Sequence, residues 1–255
     1  MSDLLWVNGE IRYFRYPVLF ANSHLKHGVF SRHGGESATP FHSLNTSYSV
    51  GDLPEHVTGN LSKIKNTLAA ERLAFLNQSH GTEIAILGDA RGKGPDSTPR
   101  ADAIMTKMPR IALLVKQADC QGVIIFDQGK RALANVHCGW RGNVQNILGR
   151  VIARMGQVFG CKAEDLFAAI GPSLGPCCSE FVSYREIFPR SFEHFMVREN
   201  YIDLWAVSCW QLVEAGVRNK NIELAGICTR CRTDLFYSYR GEGKTGRFAT
   251  AAMLV

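Results

Sequence analysis

The chain has 255 residues, 45% hydrophobic and 20% charged, the usage of an ordinary globular protein. At that length about three quarters of the unfolded surface is buried on folding, so no framework of disulfides is needed. The net charge of +6 is mild and holds no dense Lys/Arg run, which argues against a nucleic-acid-binding tail and is compatible with a small anionic substrate or a solvated basic surface.

Residues 1–20 are interrupted by Asp3, Asn8, Glu10 and Arg12, and show neither the apolar core nor the cleavage site of an export signal. No stretch approaches the ~20 apolar residues of a membrane helix. The expectation is a cytoplasmic protein without membrane contact, its eight cysteines present as thiols. Val57, Leu61, Ile64 and Leu68 then recur at helical spacing behind the start signals Asp52 and Pro54. Apolar runs suited to strands follow at 83–87, 111–116, 123–126, 132–136, 166–170 and 222–227. The polar, turn-rich segment from Gly88 to Arg100 reads as a surface loop. After Gly139-Trp140-Arg141-Gly142 comes the clearest helix, with Val144, Ile147, Leu148, Val151, Ile152, Met155, Val158 and Phe159 on one face and Gly160 as its stop. No repeat or linker divides the chain. The expected fold is a single domain over 1–255, of mixed α/β class, with mixed β-sheets covered by helices.

One hairpin carries chemistry. The runs 123–126 and 132–136 flank Asp127-Gln128-Gly129-Lys130-Arg131, and a two-residue turn at Gln128-Gly129 would pair Asp127 with Lys130. Carried to the open end, that register sets Cys120 opposite His137, with Cβ atoms about 4.5–5.5 Å apart. His137 directly precedes a helix start, where free backbone N–H groups favour anions, and Arg141 offers a guanidinium able to grip phosphate or carboxylate. A buried Cys beside a satisfied His is the structural alternative. His80, in Asn77-Gln78-Ser79-His80-Gly81, sits at a plausible rim position. A Cys with two His could hold zinc with a fourth position open, or act without metal as a nucleophile and base.

Other motifs are set aside. Arg240-Gly241-Glu242-Gly243-Lys244-Thr245-Gly246 lacks the first Gly of a phosphate loop, Ser238 standing there, and reads as a turn joining two strands. Cys228-Thr229-Arg230-Cys231 has no second CxxC and precedes the strand-like residues 235–239, so packing thiols are expected. Cys161 and Cys209 fit buried thiols, and the adjacent Cys177 and Cys178 are read as structural. No two histidines are separated by one residue, the spacing expected in a trinuclear-copper oxidase.

A set of ordered landmarks runs from about Phe30 to Val255: Gly34-Gly35-Glu36-Ser37, Ser43-Leu44-Asn45, Val50-Gly51-Asp52, Gln78-Ser79-His80-Gly81, Ala101-Asp102-Ala103, Ala118-Asp119-Cys120 and His137-Cys138-Gly139-Trp140-Arg141-Gly142. Ile170-Gly171-Pro172, Cys228-Thr229, Phe236-Tyr237-Ser238-Tyr239-Arg240 and Thr245-Gly246-Arg247 complete it. With these the chain resembles the bacterial laccase-domain family, variously described as multicopper polyphenol oxidase, purine nucleoside phosphorylase or peptidoglycan editing factor. The resemblance implies a layered fold similar to the catalytic domain of cytotoxic necrotizing factor, and a zinc site at His80, Cys120 and His137, with copper as the alternative metal. It implies phosphorolysis of adenosine, inosine and methylthioadenosine, with adenosine deamination, and phosphate near Gly139 and Arg141. Competing readings are a Cys–His amidase acting on a cell-wall precursor and copper-dependent phenol oxidation. The chain departs from the family pattern at Gly122 (usually Pro), Ser49 (usually His) and Gly241 (usually Arg).

Overall fold

The computed structural model describes residues 4–88 and 98–255, so most of the loop expected between Gly88 and Arg100 lies outside the described residues. In chain order the strands are β1 (Leu5–Asn8), β2 (Arg12–Arg15), β3 (Leu25–Phe30), β4 (Arg72–Phe75), β5 (Ile84–Leu87), β6 (Ala103–Thr106), β7 (Ile111–Gln117), β8 (Gln121–Asp127), β9 (Ala132–Cys138), β10 (Leu166–Ile170), β11 (Met196–Arg198), β12 (Tyr201–Ile202), β13 (Ile222–Leu224) and β14 (Phe248–Leu254). Two six-stranded mixed sheets result, ordered β1-β2-β3-β14-β7-β4 and β13-β10-β8-β9-β6-β5, with β11-β12 as a separate ribbon.

Side-chain alternation turns these sheets into four layers. Ile124 and Phe126 of β8 point between the sheets and meet Leu113, Phe248 and Ala252 of the other sheet. Val123 and Ile125 point the opposite way, onto Ile147, Leu148, Val151, Ile152 and Met155 of the helix Ile147–Phe159. On the outer face of the first sheet, Leu114, Ala249 and Ala251 receive Val57, Leu61 and Ile64 of the helix Pro54–Leu68. β8 is therefore buried on both faces, which is why residues 123–126 read as an unbroken apolar run. Asn135 is the polar exception in β9. Its amide donates to Leu113 O and Thr250 O, both at 2.9 Å, and so ties the two sheets together.

The layered mixed-sheet fold agrees with the sequence expectation, and three details correct it. The single helix expected after Gly142 is two, Trp140–Val144 and Ile147–Phe159. Asn146 is in the left-handed region at φ 53° and caps the second by accepting from Gly149 N, which breaks the periodic face. Residues 235–239 are not a strand, and 240–246 do not join two strands. Ser238 instead caps a short helix, Tyr239–Glu242, by accepting from Gly241 N, because this segment wraps around the carboxylate of Asp119.

Candidate active site

The hairpin register differs from expectation. Asp127 pairs with Ala132, Gly122 with His137 and Gln121 with Cys138, so Cys120 lies across from Gly139 rather than His137. The connection spans residues 128–131: Asp127 accepts from Lys130 N at 2.8 Å, and Arg131 takes φ 49°. A slip of two residues keeps each side chain on its own face of the sheet. Cys120 and His137 therefore still converge, as diagonal neighbours. Gly139 completes the fit, since a Cβ there would stand 2.9 Å from Cys120 Sγ and 3.3 Å from His80 Cδ2. Its missing side chain makes room for the thiol.

His80 arrives from the loop before β5 in the left-handed region, at φ 60°. The loop is folded around Asp102, a fully buried carboxylate one residue before β6. Asp102 accepts from His80 N at 2.9 Å, Gly81 N at 2.7 Å, Ser79 Oγ at 3.1 Å and the ring Nδ1 of His137 at 2.9 Å. One acid thus fixes both histidines, whose ring centroids are 4.9 Å apart. The donor atoms of His80, Cys120 and His137 all lie within 4.8 Å of one another. With Nδ1 engaged by Asp102, His137 has Nε2 left to bind a metal, the carboxylate–histidine arrangement that commonly supports metal ligands. The three residues fit a metal ion with a fourth position open, and the donor set suits zinc and copper alike.

Electrostatics favour an ion pair in the metal-free centre. Burial pushes the Cys120 thiol up, but the charge of His137 and hydrogen bonds from His137 and His80 outweigh it and bring Cys120 down to about 6. Burial likewise pushes His137 down, yet Cys120 and Asp102 carry it up to about 9. Asp102 is raised by burial and lowered further by His137, Gly81 and His80, ending at about 2.

The centre forms the floor of a cleft of about 640 Å³, ample for a small organic ligand. Around it stand Lys116, Arg141, Arg240 and Arg247, with Trp140, Phe181 and Tyr239. Arg141 lies 4.3 Å over the Trp140 ring, Arg240 5.0 Å over Phe181 and Arg247 5.8 Å over Tyr239. Burial lowers the pKa of Lys116, and also that of Arg247, which donates to Thr245 O and Gly246 O. The helix that opens at Gly139 is five residues long, so the long helix terminus expected there is not formed. Asp102, Lys116, Tyr239 and Arg247 are not singled out as site residues by sequence reasoning. For Asp102 a signal exists: a lone acid inside the apolar run 101–105 must find partners when buried.

Among the described residues one other group of donors gathers: Cys177, Cys178, Cys228 and Cys231. Of the CxxC, Cys228 is buried as a packing thiol should be, whereas Cys231 is exposed, as is Cys177 beside it. Cys161 is buried as expected and Cys209 half-buried; burial raises the two thiols to about 12 and about 11. Gly122 also has a reason to be Gly: a Cβ there would stand 2.4 Å from Gln117 Oε1 and 2.7 Å from Thr250 Oγ1.

Residues 26–255 match the family described as multi-copper polyphenol oxidoreductase laccase. The chain belongs to this family. A Bacteroides thetaiotaomicron relative named purine nucleoside phosphorylase is 30% identical, the alignment covering 98% of this chain and 99% of the relative. Another, purine nucleoside phosphorylase YlmD of Geobacillus stearothermophilus, is 30% identical over 86% of each chain. The crystal structure of YlmD from Geobacillus stearothermophilus superposes with a TM-score of 0.87 at 29% identity, covering 98% of this chain and 99% of that one. The hypothetical protein YfiH of Bacillus licheniformis gives 0.86 at 27% identity, covering 97% and 100%. Among the described residues, no helix is long and apolar enough to cross a membrane.

Proposed function

We propose that this chain is a zinc-dependent purine nucleoside phosphorylase of the cytoplasm, acting on adenosine, inosine and methylthioadenosine and also deaminating adenosine. The observation that carries the reading is the joining, in one cleft, of a His80–Cys120–His137 floor to a rim of guanidinium and aromatic groups. The names of the relatives agree with it. In phosphorolysis a phosphate oxygen bonds to the sugar C1′ while the bond to the purine nitrogen breaks; the base leaves with the electron pair and takes up a proton. Arg141, Arg240 and Arg247 supply cationic donors to hold the phosphate. Trp140, Phe181 and Tyr239 supply flat apolar surfaces for the base. Asp102 keeps His137 in one tautomer and one orientation. Zinc held by the three floor residues would supply Lewis-acid polarisation at the reacting centre.

A second reading has its own support. Cys120, brought down to about 6 beside His137 with Asp102 behind it, is also the arrangement of a cysteine hydrolase. One experiment separates the two. Zinc-loaded protein is incubated with adenosine and with inosine, with and without phosphate, and the products are resolved. Free base and the sugar 1-phosphate should form only with phosphate, vanish on chelation, and fall by about 10³-fold in His80→Ala and Cys120→Ala. Inosine formed from adenosine reports the deaminase. If zinc-loaded protein consumes no nucleoside, the phosphorylase reading is wrong; a covalent adduct at Cys120 with chelator-resistant activity would establish the hydrolase.

A further inference from the structure

Cys177, Cys178, Cys228 and Cys231 have no part in the cleft chemistry, yet two distant stretches of chain bring all four together. Cys177 and Cys178 lie in the connection that leaves β10, and Cys228 and Cys231 in the turn that leaves β13. Those strands run parallel and paired, Ala168 with Ile222 and Ile170 with Leu224, and the pairing resumes at a bridge between Ser173 and Cys228. The four Sγ atoms lie within 4.8 Å of one another, and Cys231 Sγ is 3.6 Å from both Cys177 Sγ and Cys178 Sγ. A tetrahedral zinc ion with Zn–S bonds of about 2.3 Å places its sulfurs roughly 3.8 Å apart. A disulfide requires about 2.05 Å. Cys228 Sγ also accepts backbone N–H groups, from Gly175 at 3.3 Å and from Cys231, donors that favour sulfur as thiolate.

We infer that these four cysteines form a second metal site, a closed tetrathiolate zinc centre distinct from the one in the cleft. On binding, each Cys gives one thiolate and the protons leave to solvent; no sulfur is oxidised. Four protein ligands leave no open position, so the role is structural. The centre clips the segment that lines the cleft with Ser173 and Leu174 to the turn at residues 228–231 beside it. Thr229, next to Cys228, donates to Asp119 Oδ1 at 2.7 Å, and Leu174 N donates to Asp119 O at 2.9 Å, beside Cys120.

The test uses full-length protein produced with zinc in the medium. Metal content is measured in wild type, Cys120→Ala, Cys177→Ser and Cys231→Ser, and the cobalt spectrum is recorded for folded protein. Wild type should carry two zinc equivalents and each variant one. Cobalt-loaded Cys120→Ala should keep the strong sulfur-to-cobalt charge-transfer absorption of a four-sulfur site, and cobalt-loaded Cys231→Ser should lose most of it. Cys120→Ala leaves this cluster intact, so instability of the Ser variants does not cloud the result. Folded Cys120→Ala that binds neither zinc nor cobalt would overturn the inference, as would thiol titration showing the four cysteines oxidised to disulfides. Neither result touches the phosphorylase reading.

Discussion

The chain gathers cysteine twice, and the two gatherings differ in almost every respect. At the cleft floor one thiol meets two imidazoles, held from behind by the buried carboxylate of Asp102. Near the surface four thiols meet one another, held by loop backbone. The mixed set is a ligand short of a closed tetrahedron and opens onto a cavity, whereas the uniform set is full. Ligand count and what stands behind the ligands, rather than the presence of cysteine, separate a reactive centre from a clip.

Three experiments strain this contrast. The largest effect is expected at Asp102. Asp102→Asn keeps the shape but removes the charge that raises His137, and it should weaken zinc at the floor or the activity by about 10–100-fold. The four-cysteine group should be unaffected. Competition with a chromophoric chelator measures both sites, and an equal loss at each would mean that Asp102 acts through the fold. Next is thiol reactivity in metal-free protein. Cys120 titrates near 6, whereas burial raises Cys178 to about 11. The thiolate is favoured as pH rises, so alkylation of Cys120 should climb about tenfold from pH 5 to 7 while Cys178 stays slow. Peptide mapping after brief iodoacetamide treatment reads each cysteine. Equal labelling of the two at pH 7 would erase the electrostatic half of the comparison. The smallest effect is thermal. Cys231→Ser should lower Tm by about 2–4 °C for each kcal/mol of clip stability lost, read by calorimetry on zinc-loaded protein.

How far the sequence led depends on whether a feature is local or made by topology. The strand runs at 111–116, 123–126, 132–136 and 166–170 are legible because burial on both faces leaves them apolar except at Lys116 and Asn135. Cys120 and His137 are legible as a pair because one hairpin joins them. The register is off by two, since nothing in Gln128 or Gly129 announces the cap that Asp127 places on Lys130. The break at Asn146 hides because its flanks, Val144 and Ile147, keep helical spacing. Asp102 escapes notice as a site residue because its partners come from two separate segments, residues 79–81 and His137. The four cysteines are invisible as a group for the same reason: only the parallel pairing of β10 with β13 brings Cys177 and Cys178 to the CxxC.

The cleft has one further consequence, for how such a protein can change. Its floor rests on strand ends and a carboxylate locked by hydrogen bonds, whereas Ser49, Phe181, Tyr239 and Arg247 at its mouth come from segments outside the two sheets. A substitution at the mouth alters what is admitted without disturbing the residues below. Ser49 is a difference of this kind. Such a division would let the selectivity of the cleft change while its ligand set stays fixed.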